Sequence, residues 1–228
     1  MAPERFPGWI ASFGGRHGAV SVKAEPDGVV LFAAADGARA RAHPPFPPGP
    51  ALSTAPDPGE VARVIAAHAA ADRTVGVLLV RLGGYAAGVF TGAPPRLAAS
   101  KVGSRLVHGR SAAGGQSQQH FARRREKQAA EALGAAADTA AGVFGRFGRP
   151  LDALVLGGDR RAVAALRDDP RLRGYFAAAV ERFLTVPDPR LAVLRETPRM
   201  FRAIQVQLTE PRRTGPGPDR APADQARV

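Results

Sequence analysis

The residues of this chain best suited to chemistry are Gly114, Gly115 and Gln116. A glutamine carboxamide has no pKa near neutrality, so it cannot serve as a general base. It can shape a pocket for water, while the adjoining backbone N–H donates to an oxyanion or to a leaving oxygen. Such positioning and charge stabilisation suffice to hydrolyse an ester that is already activated. Gly114 and Gly115 permit backbone angles and a close approach that a Cβ would block. Before the triplet stands His108-Gly109-Arg110-Ser111-Ala112-Ala113, and after it Ser117-Gln118-Gln119-His120-Phe121-Ala122-Arg123-Arg124-Arg125-Glu126-Lys127. The planar fork of arginine suits phosphate. A bare tip beside a cationic arm fits a loop that must enter a narrow, phosphate-lined place. His108, Arg110, Ser117, His120, Arg123, Arg124, Arg125 and Lys127 are the candidate RNA contacts, with a solvated charged face as the plain alternative.

Other constellations carry less. Gly157-Gly158-Asp159 follows an apolar run and opens a helix, as an anion cradle would. It lacks the Lys-Ser/Thr of a P-loop, and Asp159 as helix N-cap accounts for it. His17, His43, His68, His108 and His120 show no metal-ligand spacing, and the chain has no cysteine. Neither a metal nor a cofactor is expected.

The bulk chemistry points the same way as the loop. A net charge of +12 over 228 residues calls for a polyanionic partner, nucleic acid or acidic membrane. A hydrophobic content of 45% is that of a globular protein. No apolar run reaches the length of a membrane span and no signal-peptide core opens the chain. A soluble, cytoplasmic protein is the expectation.

Several elements must position the loop. Residues 1–55 read as a β-rich lead-in, with short runs at Trp9–Phe13, Ala19–Lys23 and Val29–Ala33, and with His43–Pro50 as a stiff extended connector. Asp57-Pro58-Gly59-Glu60 starts a helix whose face holds Val61, Val64, Ile65 and His68. Thr74–Leu82 is a strand covered on both faces. Gly83-Gly84 turns into a second strand, Tyr85–Thr91, and a third lies within Arg96–Val107. Gln118 to about Phe147 is one helix, with Ala129, Leu133, Ala136, Ala140, Val143, Phe144 and Phe147 as its apolar stripe. Cations at its start oppose the helix dipole, a conflict that a bound polyanion would relieve. Leu151–Leu156 is a buried strand, a helix runs through Arg167, and Asp188-Pro189 opens another ending near Thr197-Pro198. Ile204, Val206 and Leu208 alternate as a last strand, and Pro211 onward reads as a disordered tail. The expected fold is α+β or α/β: a mixed β-sheet with packed helices, RNase H-like in order, behind a small β-rich N-terminal segment. The expected units are 1–55, a catalytic domain over 56–210, and a tail over 211–228.

The motifs carry a resemblance. His108-Gly109-Arg110, Gly114-Gly115-Gln116-Ser117, Phe121-Ala122-Arg123 and Glu126-Lys127 resemble the catalytic domain of eukaryotic and archaeal class I peptide release factors. Ser111-Ala112-Ala113 separates two motifs that those factors run together, and there is no room for a codon-reading domain. A lengthened glutamine loop without decoding is similar to the Vms-like release-factor domain of ribosome quality control, above all its actinobacterial stand-alone form. The resemblance implies a monomeric peptidyl-tRNA hydrolase acting on stalled or split ribosomes, with peptidyl-tRNA and large-subunit rRNA as partners and Gly114, Gly115 and Gln116 as its catalytic centre. Two other readings stay open: a tRNA endonuclease cutting near the 3′ CCA end from the same site, and a non-enzymatic ribosome- or RNA-binding factor. A metal-dependent RNase H nuclease is disfavoured, because Thr74–Leu82 carries no carboxylate.

Overall fold

The computed structural model describes residues 1–52, 57–81, 83–105 and 117–211, apart from the side chains of residues 117–125. Two sheets organise these residues. The first is antiparallel, in the order β1-β2-β3-β9, formed by β1 (Val20–Ala24), β2 (Val30–Ala34), β3 (Arg39–His43) and β9 (Gln205–Thr209). Helices α1 (Phe6–His17) and α2 (Pro58–Ala70) cover its apolar side, where Phe6, Ile10, Phe13, Phe32, Ile65 and Ile204 are buried together. Trp9–Phe13 is therefore helix and not strand. Phe6, Ile10 and Phe13 recur at helical spacing, a period that a five-residue window cannot display.

The proline-rich connector also departs from the extended form expected of it. His43 ends β3, and Phe46 takes φ of 62° as the chain bends. Phe46 is buried against Phe201, with the Arg73 guanidinium 4.8 Å from its ring centre. His68 Nε2 lies 3.0 Å and 2.9 Å from the carbonyl oxygens of Pro45 and Phe46. The start of α2 is as its residues predict, with Asp57 Oδ1 accepting from the Glu60 N–H at 2.7 Å. Its buried face is Val61, Ala62, Ile65 and Ala69, and Val64 turns to solvent. The core thus crosses the boundary read from the connector: α2 and β9 both pack with the N-terminal strands.

The second sheet has the order β6-β5-β4-β7-β8, from β4 (Val75–Arg81), β5 (Gly84–Thr91), β6 (Arg96–Ser104), β7 (Ala153–Gly158) and β8 (Ala179–Leu184). β4, β5 and β6 form an antiparallel meander, and β7 and β8 run parallel to β4. This mixed sheet with helices on both faces is the expected fold class and RNase H-like order. Arg81 pairs with Gly84, so Gly84 already belongs to β5 and Gly83, at φ of 87°, carries the turn. Side chains alternate along β4: Leu78 and Val80 meet α3 (Ser117–Phe147), while Val77 and Leu79 meet α6 (Leu191–Phe201).

Gly157 and Gly158 are strand residues. A Cβ on Gly157 would stand 2.8 Å from the Leu184 carbonyl oxygen, and Gly158 has φ of 101°. Asp159 caps α4 (Arg160–Leu166), its Oδ1 accepting from the N–H groups of Arg161 and Ala162 at 2.7 and 3.1 Å. Close strand packing plus a cap explains the triplet, as its sequence reading favoured. The short α5 (Arg173–Phe176) leads into β8.

Helix α6 starts later than Asp188-Pro189 and continues through Pro198. Proline has no N–H for the Leu194 carbonyl, and the Thr197 hydroxyl donates to that oxygen instead, at 2.7 Å. At its end, Arg182 donates to the carbonyls of Met200, Phe201 and Ala203, in and just beyond the last turn, where no further helical turn supplies i+4 donors. Burial lowers the pKa of this guanidinium from its ordinary value.

Candidate functional site

The candidate site hangs from the carboxyl ends of β4 and β6, which lie at the same end of the sheet. The Arg105 N–H donates to the Gly83 carbonyl at 2.7 Å, extending the β5–β6 ladder by one bond. The chain re-enters the described structure at Ser117, the first residue of α3. His108, Arg110, Gly114, Gly115 and Gln116 fall between these points and lie outside the described residues. Ser117, His120, Arg123, Arg124 and Arg125 belong to α3 by their backbone. Lys127 is exposed.

Helix α3 divides into two lengths. From Ala132 onward it is docked, with Ala136, Ala137, Ala140, Val143 and Phe144 buried on the sheet. Before Ala132, Glu126, Lys127, Ala129, Ala130 and Glu131 are all exposed. Ala129, read as part of the apolar stripe, is thus a surface residue. At a rise of about 1.5 Å per residue, Ser117 precedes the first core residue by about 22 Å of helix axis. Positions 120, 123, 124 and 127 recur at helical spacing, roughly half a turn away from the buried stripe by the period of about 3.6 residues. The dipole conflict is smaller than the sequence predicts. With the helix starting at Ser117, only position 120 among the basic candidates lies in the first turn, where the dipole acts.

Beside Arg105, the last described residue after β6, is a cavity of about 360 Å³, lined by Arg81, Gly84, Ser104, Arg105, Asp188 and Arg190 among others. The Arg81 guanidinium donates to the Val186 carbonyl at 2.8 Å, which ties β4 to the segment before α6. A Cβ on Gly84 would stand 3.3 Å from Pro189 Cδ, so glycine allows the two walls to approach. Sequence reasoning missed Arg81, Arg105, Asp188 and Arg190. Arg81 and Arg105 lie at or just beyond the ends of β4 and β6, Asp188 and Arg190 lie in the segment leading into α6, and only the tertiary fold brings them together.

Among the described residues, no three His, Asp or Glu side chains converge on a possible cation site. Nor is any described helix long and apolar enough to cross a membrane. Of the other histidines, His17 Nδ1 sits 2.8 Å from Asp36 Oδ2, His68 holds the connector, and His43 Nε2 is buried with no hydrogen-bond partner among the described residues.

This arrangement can present a basic helix and a short glycine-bearing segment from the same end of one sheet. Residues 73–207, from just before β4 to within β9, match the family described as Actinobacteria/chloroflexi VLRF1 release factor, acVLRF1. The chain belongs to this family. The acVLRF1 match takes in the whole five-stranded sheet, α3 and the segment that carries Gly114-Gly115-Gln116. A solved archaeal translation termination factor, aRF1, is 14% identical with a TM-score of 0.37, over 76% of this chain and 47% of that one. The chain therefore spans about half the length of that factor. No curated protein matches this sequence.

Proposed function

We propose that this acVLRF1 member is a peptidyl-tRNA hydrolase that frees nascent peptide on stalled or split ribosomes. The observation that carries this reading is where the triplet falls. Gly114-Gly115-Gln116 immediately precedes a helix whose first half carries the basic residues and, wherever its side chains are described, is exposed before Ala132. A helix of this kind is a means of delivery: its docked half fixes direction and its outer half supplies reach and positive charge.

In the proposed reaction, water attacks the ester carbonyl and the C–O bond to the tRNA 3′-oxygen breaks. The peptide leaves as a carboxylate and the tRNA as a free 3′-hydroxyl, one proton of the water passing to the 3′-oxygen and the other to solvent. The Gln116 backbone N–H donates to the oxyanion or to the leaving 3′-oxygen, and its carboxamide shapes the pocket for water. Gly114 and Gly115 let the backbone come close enough to do so. Arg123, Arg124, Arg125 and Lys127, with His108, Arg110, Ser117 and His120, contact RNA phosphates.

Purified large subunits carrying peptidyl-tRNA test this on one gel that resolves both products. Wild type should release peptide and leave the CCA end intact. Gln116→Ala, which removes the carboxamide that shapes the water pocket, and Gly115→Ala, which displaces the Gln116 N–H, should each slow release by about a hundredfold, the scale of misplacing reacting groups by about 1 Å. Near wild-type release by both variants ends the proposal. A shortened tRNA would establish cleavage near the CCA end instead, and association without any product would leave a binding factor.

A further inference from the structure

The cavity beside Arg105 has no part in the hydrolysis just described, yet its lining is selective. Its lining includes three arginines, Arg81, Arg105 and Arg190, and a single carboxylate, Asp188. Arg81 spends one N–H on Val186, and a guanidinium has further donors in its fork. Arg105 and Arg190 are exposed residues of the lining that come from different elements, one just after β6 and the other at the start of α6. Forked donors from two elements suit a phosphate. A lone carboxylate among them is a poor companion for a bare anion. It suits a ligand that brings a hydroxyl donor beside its phosphate, as ribose does with its 2′-OH.

We propose that this cavity binds a ribose-phosphate unit of the tRNA acceptor arm, Arg105 and Arg190 taking the phosphate and Asp188 accepting from the ribose hydroxyl. The assignment to tRNA rests on the peptidyl-tRNA reading above. The site lies at the end of the sheet from which the loop departs, so one RNA strand can meet both. It serves as an anchor away from the reacting ester, and it makes the protein prefer RNA to DNA of the same sequence.

Fluorescence anisotropy with the full chain tests it, using a labelled acceptor-arm RNA minihelix and its all-DNA counterpart over a salt series. Arg105→Ala/Arg190→Ala should weaken RNA binding about tenfold or more, as expected on losing charge-assisted hydrogen bonds. The slope of log K against log salt should flatten by roughly 0.7 to 0.9 for each phosphate no longer neutralised. Asp188→Asn should narrow the RNA-over-DNA preference while leaving that slope in place. Unchanged affinity and slope in the double variant, toward the minihelix and toward large subunits alike, overturn the site, and an unchanged RNA:DNA ratio in Asp188→Asn overturns the ribose contact. Loss of binding to large subunits alone, with minihelix binding intact, overturns the tRNA assignment in favour of rRNA. Arg105 and Arg190 are exposed, and circular dichroism verifies that the double variant is folded; the single Arg190→Glu variant provides a second reading. Because the readout is binding, absence of peptide release by the wild type would sink the hydrolase reading without touching this measurement.

Discussion

The two halves of α3 are one continuous helix serving opposite physical ends. The inner half is made of small residues, Ala132, Ala136, Ala137 and Ala140, followed by Val143 and Phe144, all buried. Small side chains let a helix lie close to a sheet, and beneath it Gly76 on β4 makes room for Leu151, whose Cδ1 would stand 2.5 Å from a Cβ there. The outer half buries none of its described residues, and Glu126 to Glu131 are exposed except for half-buried Gln128. Isolated helices are marginal in water, and most helical stability in proteins comes from packing an apolar face. The outer half must therefore draw its order from the inner one. On the proposed function, stability and recognition are separated along a single axis, and mutations in the two halves should have separable consequences.

The largest expected effect lies in the inner half. Phe144 is buried between the sheet and Tyr175, with ring centres 5.1 Å apart. Phe144→Ala should cost about 3–5 kcal/mol of stability through reduced burial and the cavity left behind. Urea unfolding followed by circular dichroism measures it. RNA affinity, taken where the variant is still folded, should be close to wild type. A large loss of affinity with little loss of stability would break the proposed division.

The converse experiment is in the outer half. Arg123→Ala/Arg124→Ala/Lys127→Ala removes like-charge neighbours at helical spacing and inserts the best helix former. The free protein should be as stable as wild type, or more stable by roughly 0.2–0.5 kcal/mol for each repulsive pair removed. Binding to RNA should weaken, and its salt slope should fall by about 0.7–0.9 for every phosphate that these cations engage. A salt slope that survives in the triple variant means that they engage none.

How much of this was legible in the sequence depends on whether the cause is local. The meander of β4, β5 and β6 could be read because apolar runs and glycines punctuate it, and α2 and α4 because Asp57 and Asp159 announce their own caps. β3 escaped, since Arg39-Ala40-Arg41-Ala42 has the alternation of a strand without the bulky residues that mark one. β8 escaped for a related reason: Ala179-Val180-Glu181-Arg182-Phe183-Leu184 has no clean period. That β9 completes the N-terminal sheet, pairing Arg41 with Gln207, is a matter of register between distant segments that no local pattern encodes. The site divides in the same way. Gly114-Gly115-Gln116 and its basic neighbours are a contiguous motif, visible by eye. The arginine cavity is not, because Arg81 meets Val186 across 105 positions of chain.

The smallest effect sharpens the comparison at the docked end of α3. Arg171 donates to Asp138 on α3 and also to Asp169, 2.6 Å from Arg171 Nη2, so an ion-paired network pins the inner half to the segment between α4 and α5. The hydrogen bond from the Arg171 side chain, aided by its backbone N–H, holds the Asp169 carboxyl below the ordinary carboxylate range. The two carboxylates in turn raise the already high pKa of Arg171, so it stays charged at every accessible pH. A carboxylate whose folded pKa is lowered contributes stability that is present in full above its unfolded pKa. That contribution fades as pH falls through the lowered folded value. Asp169→Asn should therefore be slightly less stable than wild type near neutral pH, and the gap should close on acidification below the ordinary carboxylate range. Because the network is largely solvent-exposed, added salt should shrink the gap as well. Urea midpoints over a pH series measure this, and a gap that widens toward acid would show that Asp169 acts through something other than its charge. RNA affinity should not follow the same pH dependence, since Asp169 serves only the half of α3 that stays on the sheet.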